Sequence, residues 1–272
     1  MSGNFIHCAP VRPSAHLYRR RAILALALAG FLFTGCRGTM SPLSNRLQIG
    51  EEAFAVVVAR GEGGLGDLYA VPASGGLPLQ ITFTRVDESM PALTTDGSVI
   101  AFIRGGQKSG TQPVVVLMNL LNGAERRIEL PAGAAPQRVA WSGTQTRLLI
   151  ASTHGLYGAN APPRPLDLTP LASADSAAAD SALAVLLGDP AFAVAGRCRS
   201  GRGICAESDS GESVIDSAGM DPVRWGPDSV AYVVDNELQI LPLGGGHLRE
   251  VRPSRALMDM RQPAYAAGPG RR

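Results

Sequence analysis

A glycine-rich segment is the first place in this sequence where a ligand could be held. Gly61-Glu-Gly-Gly-Leu-Gly66 has the spacing GxGxxG directly after a strand-like run, and Asp87 lies 21 residues beyond its last glycine. A dinucleotide site with that spacing needs a helix beginning at the turn, because the helix amides and dipole hold the pyrophosphate. The stretch that follows contains Pro72, Gly75 and Pro78, which exclude such a helix. The glycines are therefore predicted to form a hairpin loop, and no cofactor is expected.

Groups for acid–base or nucleophilic catalysis are scarce. His154 and His247 are the only histidines after residue 35, and no serine lies in a GxSxG elbow. The histidines are predicted to be exposed loop residues. Turn capping explains acids such as Asp96 and Asp228 without any chemistry. No catalytic or metal residue is assigned, and binding is favoured over catalysis, although enzyme activity stays open.

Two cysteines in the second half of the chain are spaced for a disulfide. Cys198 and Cys205 flank six residues, two of which are glycines, as suits a hairpin that brings the sulfurs together. An exported protein can form such a bond. Free thiols are the alternative. Zinc is disfavoured because no histidine lies near the pair and the spacing is not CxxC.

The N-terminus has the layout of an export signal. Arg19-Arg20-Arg21 precedes thirteen apolar or small residues, 22–34, which are too few for a membrane span but suit the apolar core of a signal. Phe33-Thr-Gly-Cys36 resembles a bacterial lipobox, in which the cysteine is lipidated and becomes the mature N-terminus. Residues 1–35 are therefore predicted to be a lipoprotein signal peptide. An uncleaved anchor helix and a conventionally cleaved signal are the alternatives.

The residues after Cys36 indicate where the protein would be held. Residues 36–50 include several Gly, Ser, Pro and Asn and are predicted to be a flexible tether. Arg37 follows the cysteine that is predicted to be lipidated, at a position where an Asp would disfavour sorting to the outer membrane. The absence of Asp there resembles the outer-membrane sorting pattern of lipoproteins. The predicted location is the outer membrane, facing the periplasm, with the cell surface as the alternative.

The charge of the chain changes once the signal is set aside. The whole chain has a net charge of +2, but residues 1–35 contain four arginines and no acid. Without them, 21 basic residues face 23 acidic ones, which gives −2. A mildly acidic chain with no Lys/Arg-rich block gives no electrostatic footprint for nucleic acid. No nucleic-acid partner is expected.

A recurring unit predicts the architecture of residues 51–272. Pro91–Arg104 and Pro222–Val234 each place an apolar segment and a turn before a strand-like run. Five such runs end 44, 48, 44 and 38 residues apart. The runs are 56–60, 100–104, 148–152, 192–196 and 230–234. Each unit reads as four short antiparallel strands joined by tight turns, which is the blade of a β-propeller. Trp141, Trp225 and Tyr265 recur at one repeat position, which predicts packing between blades.

The units also resemble a known repeat. Asp67-Leu-Tyr-Ala-Val71, Gly75-Gly76, Ile81-Thr82 and Pro91–Arg104 are similar to the TolB-type, or PD40 (WD40-like), propeller repeat. The match covers residues 51–104 and 222–251 and is degenerate between 145 and 215. The resemblance implies a periplasmic or cell-surface propeller of the kind often used as a docking platform, and it transfers no activity.

The ends of the chain predict how the ring closes. The first run, 56–60, lacks its preceding turn element, whereas the last turn element, 263–269, lacks its following run. The two halves would complete one blade and leave no open sheet edge. The prediction is an all-β propeller of five four-stranded blades whose N- and C-terminal strands share the closing blade, with six blades as the alternative.

These observations lead to two hypotheses about function. The first is a lipid-anchored envelope propeller that acts as a scaffold for a protein or glycan partner. The alternative is a hydrolase or lyase with its site at the central channel of the propeller. The lipobox, the tether and the scarcity of catalytic groups favour the first.

Overall fold

The computed structural model describes residue 49 and residues 52–106, 108, 110–142, 145–160, 167–172, 195–198, 200, 203–208, 211–225, 228–243 and 246–266. The predicted signal, Cys36 and, apart from residue 49, the tether lie outside the described residues. No helix within these ranges has the length and hydropathy that crossing a membrane requires.

The described residues form short strands and one 3-10 turn, Glu62–Gly64. The strands are β1 (Phe54–Arg60), β2 (Gly66–Pro72), β3 (Leu79–Gln80), β4 (Glu88–Leu93), β5 (Val99–Gly106), β6 (Thr111–Asn119), β7 (Glu125–Ile128), β8 (Pro136–Trp141), β9 (Arg147–Ser152), β10 (Gly155–Asn160), β11 (Leu168–Ala172), β12 (Ala195–Arg197), β13 (Ile204–Ser208), β14 (Gly211–Asp216), β15 (Met220–Arg224), β16 (Ser229–Val234), β17 (Glu237–Pro242), β18 (Arg249–Val251) and β19 (Arg261–Ala266). Each of the five predicted runs overlaps the second strand of a unit, namely β1, β5, β9, β12 or β16.

The strands pair into separate antiparallel sheets, as in a β-propeller. Four sheets have four strands, in the orders β19-β1-β2-β3, β4-β5-β6-β7, β8-β9-β10-β11 and β15-β16-β17-β18. Their first strands lie side by side in the order β15, β19, β4 and β8, and therefore form the inner wall. The protein is an all-β propeller, as predicted.

The predicted number of blades is not met in the described part of the chain. Four complete four-stranded blades are described, not the predicted five or the alternative six. The remaining sheet, β12-β13-β14, has three described strands. β12 overlaps the run predicted as the second strand of its unit and lies beside β15, as β1 lies beside β4. Residues 173–194, which precede this sheet, lie outside the described residues.

The closing blade joins the two ends of the propeller. β19, near the C-terminus, pairs antiparallel with β1, with Phe54 opposite Ala266 and Val56 opposite Ala264. β1 pairs on its other side with β2 over its full length. β1 therefore has hydrogen-bonded neighbours on both edges, as the complementary chain ends predict.

Apolar cores fill the spaces between neighbouring blades. Trp141 of β8 is buried, and its Nε1 donates a hydrogen bond of 3.0 Å to the carbonyl of Ala92 in β4. Trp225 lies against Tyr265 of the closing blade, with ring centroids 4.3 Å apart. Both indole rings therefore pack between blades, which confirms the prediction from their repeat position.

A polar chain links three inner strands. Met90, Asp221 and Gln262 each precede a proline at a bulge, and each has a positive φ near 50°. The amide of Gln262 donates to Asp221 Oδ2 at 2.9 Å, and the amide of Met90 donates to Gln262 Oε1 at 2.8 Å. The bulges at Gln262 and Met90 thus each leave an amide that a side chain of the preceding blade accepts, which ties these blades together at the inner wall.

The turn before β5 packs against the closing blade. Asp96 accepts hydrogen bonds from Thr94 and Ser98, which hold the turn in shape. Gly97 has a φ of +72°, and a Cβ built there would lie 2.7 Å from Phe54 and 3.0 Å from Ala266. Only glycine suits this position, because both the conformation and the space exclude a side chain.

We expect Gly97→Ala to lower the free energy of unfolding by about 2–3 kcal/mol, because it combines a strained φ with overpacking against the closing blade. Gly123→Ala is the matched control. Gly123 also has a φ of +72°, but no atom lies within 4 Å of a Cβ built there. Urea unfolding of both variants separates packing from backbone strain. Equal losses would contradict a packing role for the Gly97 turn.

Candidate ligand-binding site

A cavity of about 420 Å³ opens beside the first blade, β19-β1-β2-β3, which is also the closing blade. The loop between β1 and β2 forms one wall and the connection from β3 to β4 forms the other. The lining residues are Gly63, Leu65, Asp67, Gln80, Phe83, Thr84 and Arg85. Its volume falls in the range of about 300–1,000 Å³ that is typical of small-molecule sites.

The GxGxxG segment shapes one wall of this cavity. It joins β1 to β2 as a hairpin loop, which confirms that prediction. A Cβ built on Gly61 would lie 1.8 Å from Asp67 Oδ2, so this glycine leaves room for the carboxylate. Gly63 has a φ of +82°, and nothing lies within 4 Å of a Cβ built there. The motif therefore positions a buried acid and leaves the cavity mouth open.

Asp67 is fixed at the floor of the cavity. Asp67 is the second residue of β2, and only 2% of its surface is exposed. Its carboxylate accepts a hydrogen bond from Gln80 Nε2 at 3.0 Å and one from the amide of Thr84 at 3.3 Å. The two contacts join the loop, β3 and the following connection around one carboxylate.

A second polar chain, separate from the one at the inner wall, runs from the cavity into the second blade, β4-β5-β6-β7. The Thr84 hydroxyl lies 3.3 Å from Glu88 Oε1, and Arg104 Nε donates to the same oxygen at 2.8 Å. Arg104 also donates to both oxygens of Glu125, at 2.7 and 2.8 Å. One arginine, with its side chain 11% exposed, therefore bridges two carboxylates, one buried and one at the surface.

Glu88 is the most deeply buried charged residue among those that the structure describes. It is fully buried, and among the described residues its Oε2 has no hydrogen-bond partner of good geometry. Burial raises the pKa of Glu88 above its ordinary value of 4.5, while the Thr82 hydroxyl and the Arg104 guanidinium offset only part of that rise. The negative charge of Asp67 adds to the rise. The neutral form of Glu88 is therefore favoured relative to an exposed glutamate.

Surface charges secure the same end of the first blade. Asp87 Oδ1 accepts a hydrogen bond from the amide of Gly66 at 2.8 Å and lies 3.6 Å from Arg261 of the closing blade. Arg60, at the end of β1, forms an ion pair with Asp259. Both pairs link the walls of the cavity to β19 and the segment before it, although exposed ion pairs add little stability each.

We expect Glu88→Gln to remove a pH-dependent loss of stability. Because the pKa of Glu88 is raised in the folded protein, its contribution to the free energy of unfolding is fully present below about pH 4.5. That contribution is lost as the pH rises through the native pKa. The free energy of unfolding of the variant, relative to the original protein, should therefore increase with pH by about 1.4 kcal/mol for each unit by which the pKa is raised.

Urea unfolding between pH 4 and pH 8 measures this difference. Glu125→Gln is the control, since it removes the other carboxylate from Arg104 at a side chain that is 34% exposed. A difference between Glu88→Gln and the original protein that stays constant over this range would show that Glu88 is not the group responsible.

The sequence-predicted cysteines lie outside this cavity. Cys198 and Cys205 are joined in a disulfide across the β12–β13 hairpin, with Cα atoms 4.9 Å apart. The nearby Glu212 completes a possible trio of metal ligands, but disulfide sulfurs carry no thiolate to bind a metal. Cys36 lies outside the described residues. His154 and His247 are both exposed.

Sequence reasoning missed the cavity and its polar chain. Turn capping explains acids such as Asp96 and Glu88 in the sequence, and Asp67 is predicted only as part of a repeat strand. In the structure Asp67 and Glu88 are buried and connected through Thr84. Their positions in sequence, 21 residues apart and on two blades, give no local pattern. The one available signal was Asp67 itself, which opens the strand after the glycine-rich loop.

Comparison with known proteins gives likeness in structure alone. No family model matches the chain, and no curated protein matches it. TolB from Acinetobacter baumannii is 14% identical over 87% of this chain and 70% of its own length, with a TM-score of 0.47. A structure of a nidogen/laminin complex is 9% identical over 79% of this chain and 98% of the matched chain, with a TM-score of 0.46. These scores are low, so the propeller architecture rests on the strand order and pairing described above. In that arrangement the chain is similar to TolB-type propellers.

Proposed function

We propose that this protein is a lipid-anchored propeller of the bacterial envelope that binds a protein or glycan partner through the cavity beside its first blade. The observation that carries the proposal is the cavity itself, with an exposed aromatic ring and several polar groups on walls held by buried contacts. A site whose walls are already fixed loses little entropy when a partner binds.

The charged groups near the cavity are better placed to hold its walls than to catalyse a reaction in it. A buried acid with a raised pKa is the kind of group that serves as a general acid. Glu88, however, is fully buried, and Arg104 and Thr84 occupy Oε1. Its Oε2 makes no hydrogen bond to any described residue but is equally buried, so a substrate could reach the carboxyl only if the packing around it opened. Binding is therefore favoured over the alternative, a hydrolase or lyase acting at the central channel.

Anchoring and export are proposed from the N-terminal sequence. The lipobox-like Phe33–Cys36 and the tether 36–50 support attachment through a lipid on Cys36, and Arg37 supports the outer membrane over other membranes. The disulfide between Cys198 and Cys205 suits an oxidising compartment such as the periplasm. The ring itself would hold a fifth blade built on β12, β13 and β14.

We expect Cys36→Ala to release the protein from the membrane fraction, because the acyl chains would be lost with the thiol that carries them. Cys8→Ala is the matched control, since Cys8 lies in the predicted signal and should leave anchoring intact. Fractionation of cells, with mass spectrometry of the mature N-terminal peptide, measures both effects. An unmodified Cys36 in the original protein, or a Cys36→Ala protein that stays in the membrane, would contradict lipid anchoring.

Partner binding can be tested with a photo-crosslinking residue placed at the cavity. Arg85, an exposed lining residue, is the test position, and Leu121, which is 42% exposed in the turn between β6 and β7, is the control. We expect a specific crosslinked product in intact cells from position 85 and none from position 121. No product from position 85, together with turnover of an ester or glycan by the purified protein, would favour the enzyme alternative.

A further inference from the structure

We infer that the cavity beside the first blade takes an uncharged sugar unit of a glycan. The inference rests on the proposed function, because it names the chemical class of the partner. Three properties of the lining lead to it, namely the types of polar group, the balance of charge and the exposed aromatic ring.

The polar groups of the lining match a ligand that is rich in hydroxyl groups. Asp67 and Gln80 present a carboxylate and a planar amide, Thr84 a hydroxyl and Arg85 a guanidinium. Hydroxyl groups both donate and accept, so neighbouring hydroxyls of a sugar can use acceptors and donors of this kind side by side. The hydrogen bonds from Gln80 Nε2 and the Thr84 amide hold the Asp67 carboxylate at a fixed angle, which favours a ligand of fixed shape.

The charges of the lining disfavour ionic ligands. It contains one acid, buried Asp67, and one base, exposed Arg85. An isolated phosphate or carboxylate would have to approach Asp67, and a metal cation or amine would have to approach Arg85. Asp67 would repel the first kind of ligand and Arg85 the second, because like charges oppose each other. A neutral ligand meets neither penalty.

The aromatic ring of the lining provides an apolar surface. Phe83 is 59% exposed, although it stands between the buried Thr82 and the half-buried Thr84. A phenyl ring has a negative face and a positive edge, and its face attracts the polarised C–H groups of a pyranose. One face of a sugar is rich in such C–H groups, while its rim carries the hydroxyls. Phe83 and the polar floor could therefore contact both parts of the same sugar.

The experiment uses the full-length lipoprotein, extracted in a zwitterionic detergent because many common detergents have sugar headgroups. Calorimetric titrations use N,N′-diacetylchitobiose, cellobiose, lactose and mannobiose as neutral probes, with inorganic phosphate and trialanine as contrasting ones. We expect at least one disaccharide to bind saturably, with neither phosphate nor trialanine competing.

Two variants show whether binding occurs at this cavity. Phe83→Ala should raise the Kd for the bound disaccharide by about tenfold or more, since stacking on the ring is lost. Leu77→Ala is the matched control, because Leu77 is 58% exposed in the β2–β3 turn and does not line the cavity. It should leave the Kd unchanged. Thermal melts of both variants verify that they are folded.

The possible results separate this inference from the proposed function. If no disaccharide binds, or if Phe83→Ala and Leu77→Ala have equal effects, the sugar site is refuted. Competition by trialanine that Phe83→Ala abolishes would show a peptide site and also refute it. In either case a specific crosslink from position 85 would leave the proposed function standing with a protein partner. Failure of both the crosslink and the titrations would refute both.

Discussion

The pairing of β1 with β19 is the contact on which the rest of the propeller depends. Phe54 to Ala59 are each at most 1% exposed, so β1 is buried on both faces. Val56 and Val58 belong to the core shared with the second blade, whereas Ala55 and Val57 belong to the core shared with the blade of β15–β18. Full burial of one such aliphatic side chain stabilises a protein by about 1.5–3 kcal/mol. Loss of β19 would expose an edge of β1 and open both cores at once.

The inner wall shows how the blades stay in register with each other. Bulges at Met90, Asp221 and Gln262 place non-glycine residues at positive φ, a conformation that costs energy at each position. The amides of Gln262 and Met90 are accepted by side chains of the preceding blade, so the strain is offset by contacts between blades. Met90 has no side-chain acceptor of this kind, and the chain of contacts ends there. Neighbouring blades are therefore coupled by polar contacts at the centre and by apolar packing farther out.

The repeat made the blades predictable but left the site hidden. Strands such as β5 and β16 follow from apolar runs and turn residues that lie close together in sequence, and the shared closing blade follows from complementary chain ends. The cavity depends instead on where the β3–β4 connection runs, and no repeat position specifies that path. Similarly, Glu88 has a raised pKa because the fold removes it from water, whereas its sequence neighbours suggest only a charged turn. The described part of the chain falls short of the predicted blade count around β12, where the unit loses its repeat pattern.

The floor of the cavity is held by the fold, whereas its mouth consists of exposed loop residues. Its floor belongs to β2, and the Asp67 carboxylate is connected through Thr84 and Glu88 to Arg104 in the second blade. Its mouth consists of Gly63, Phe83 and Arg85, which are exposed loop residues with few constraints from the core. A substitution at the mouth changes the ligand that fits while leaving the closing blade and its cores intact. The loops can therefore change specificity on a frame that the repeat holds constant.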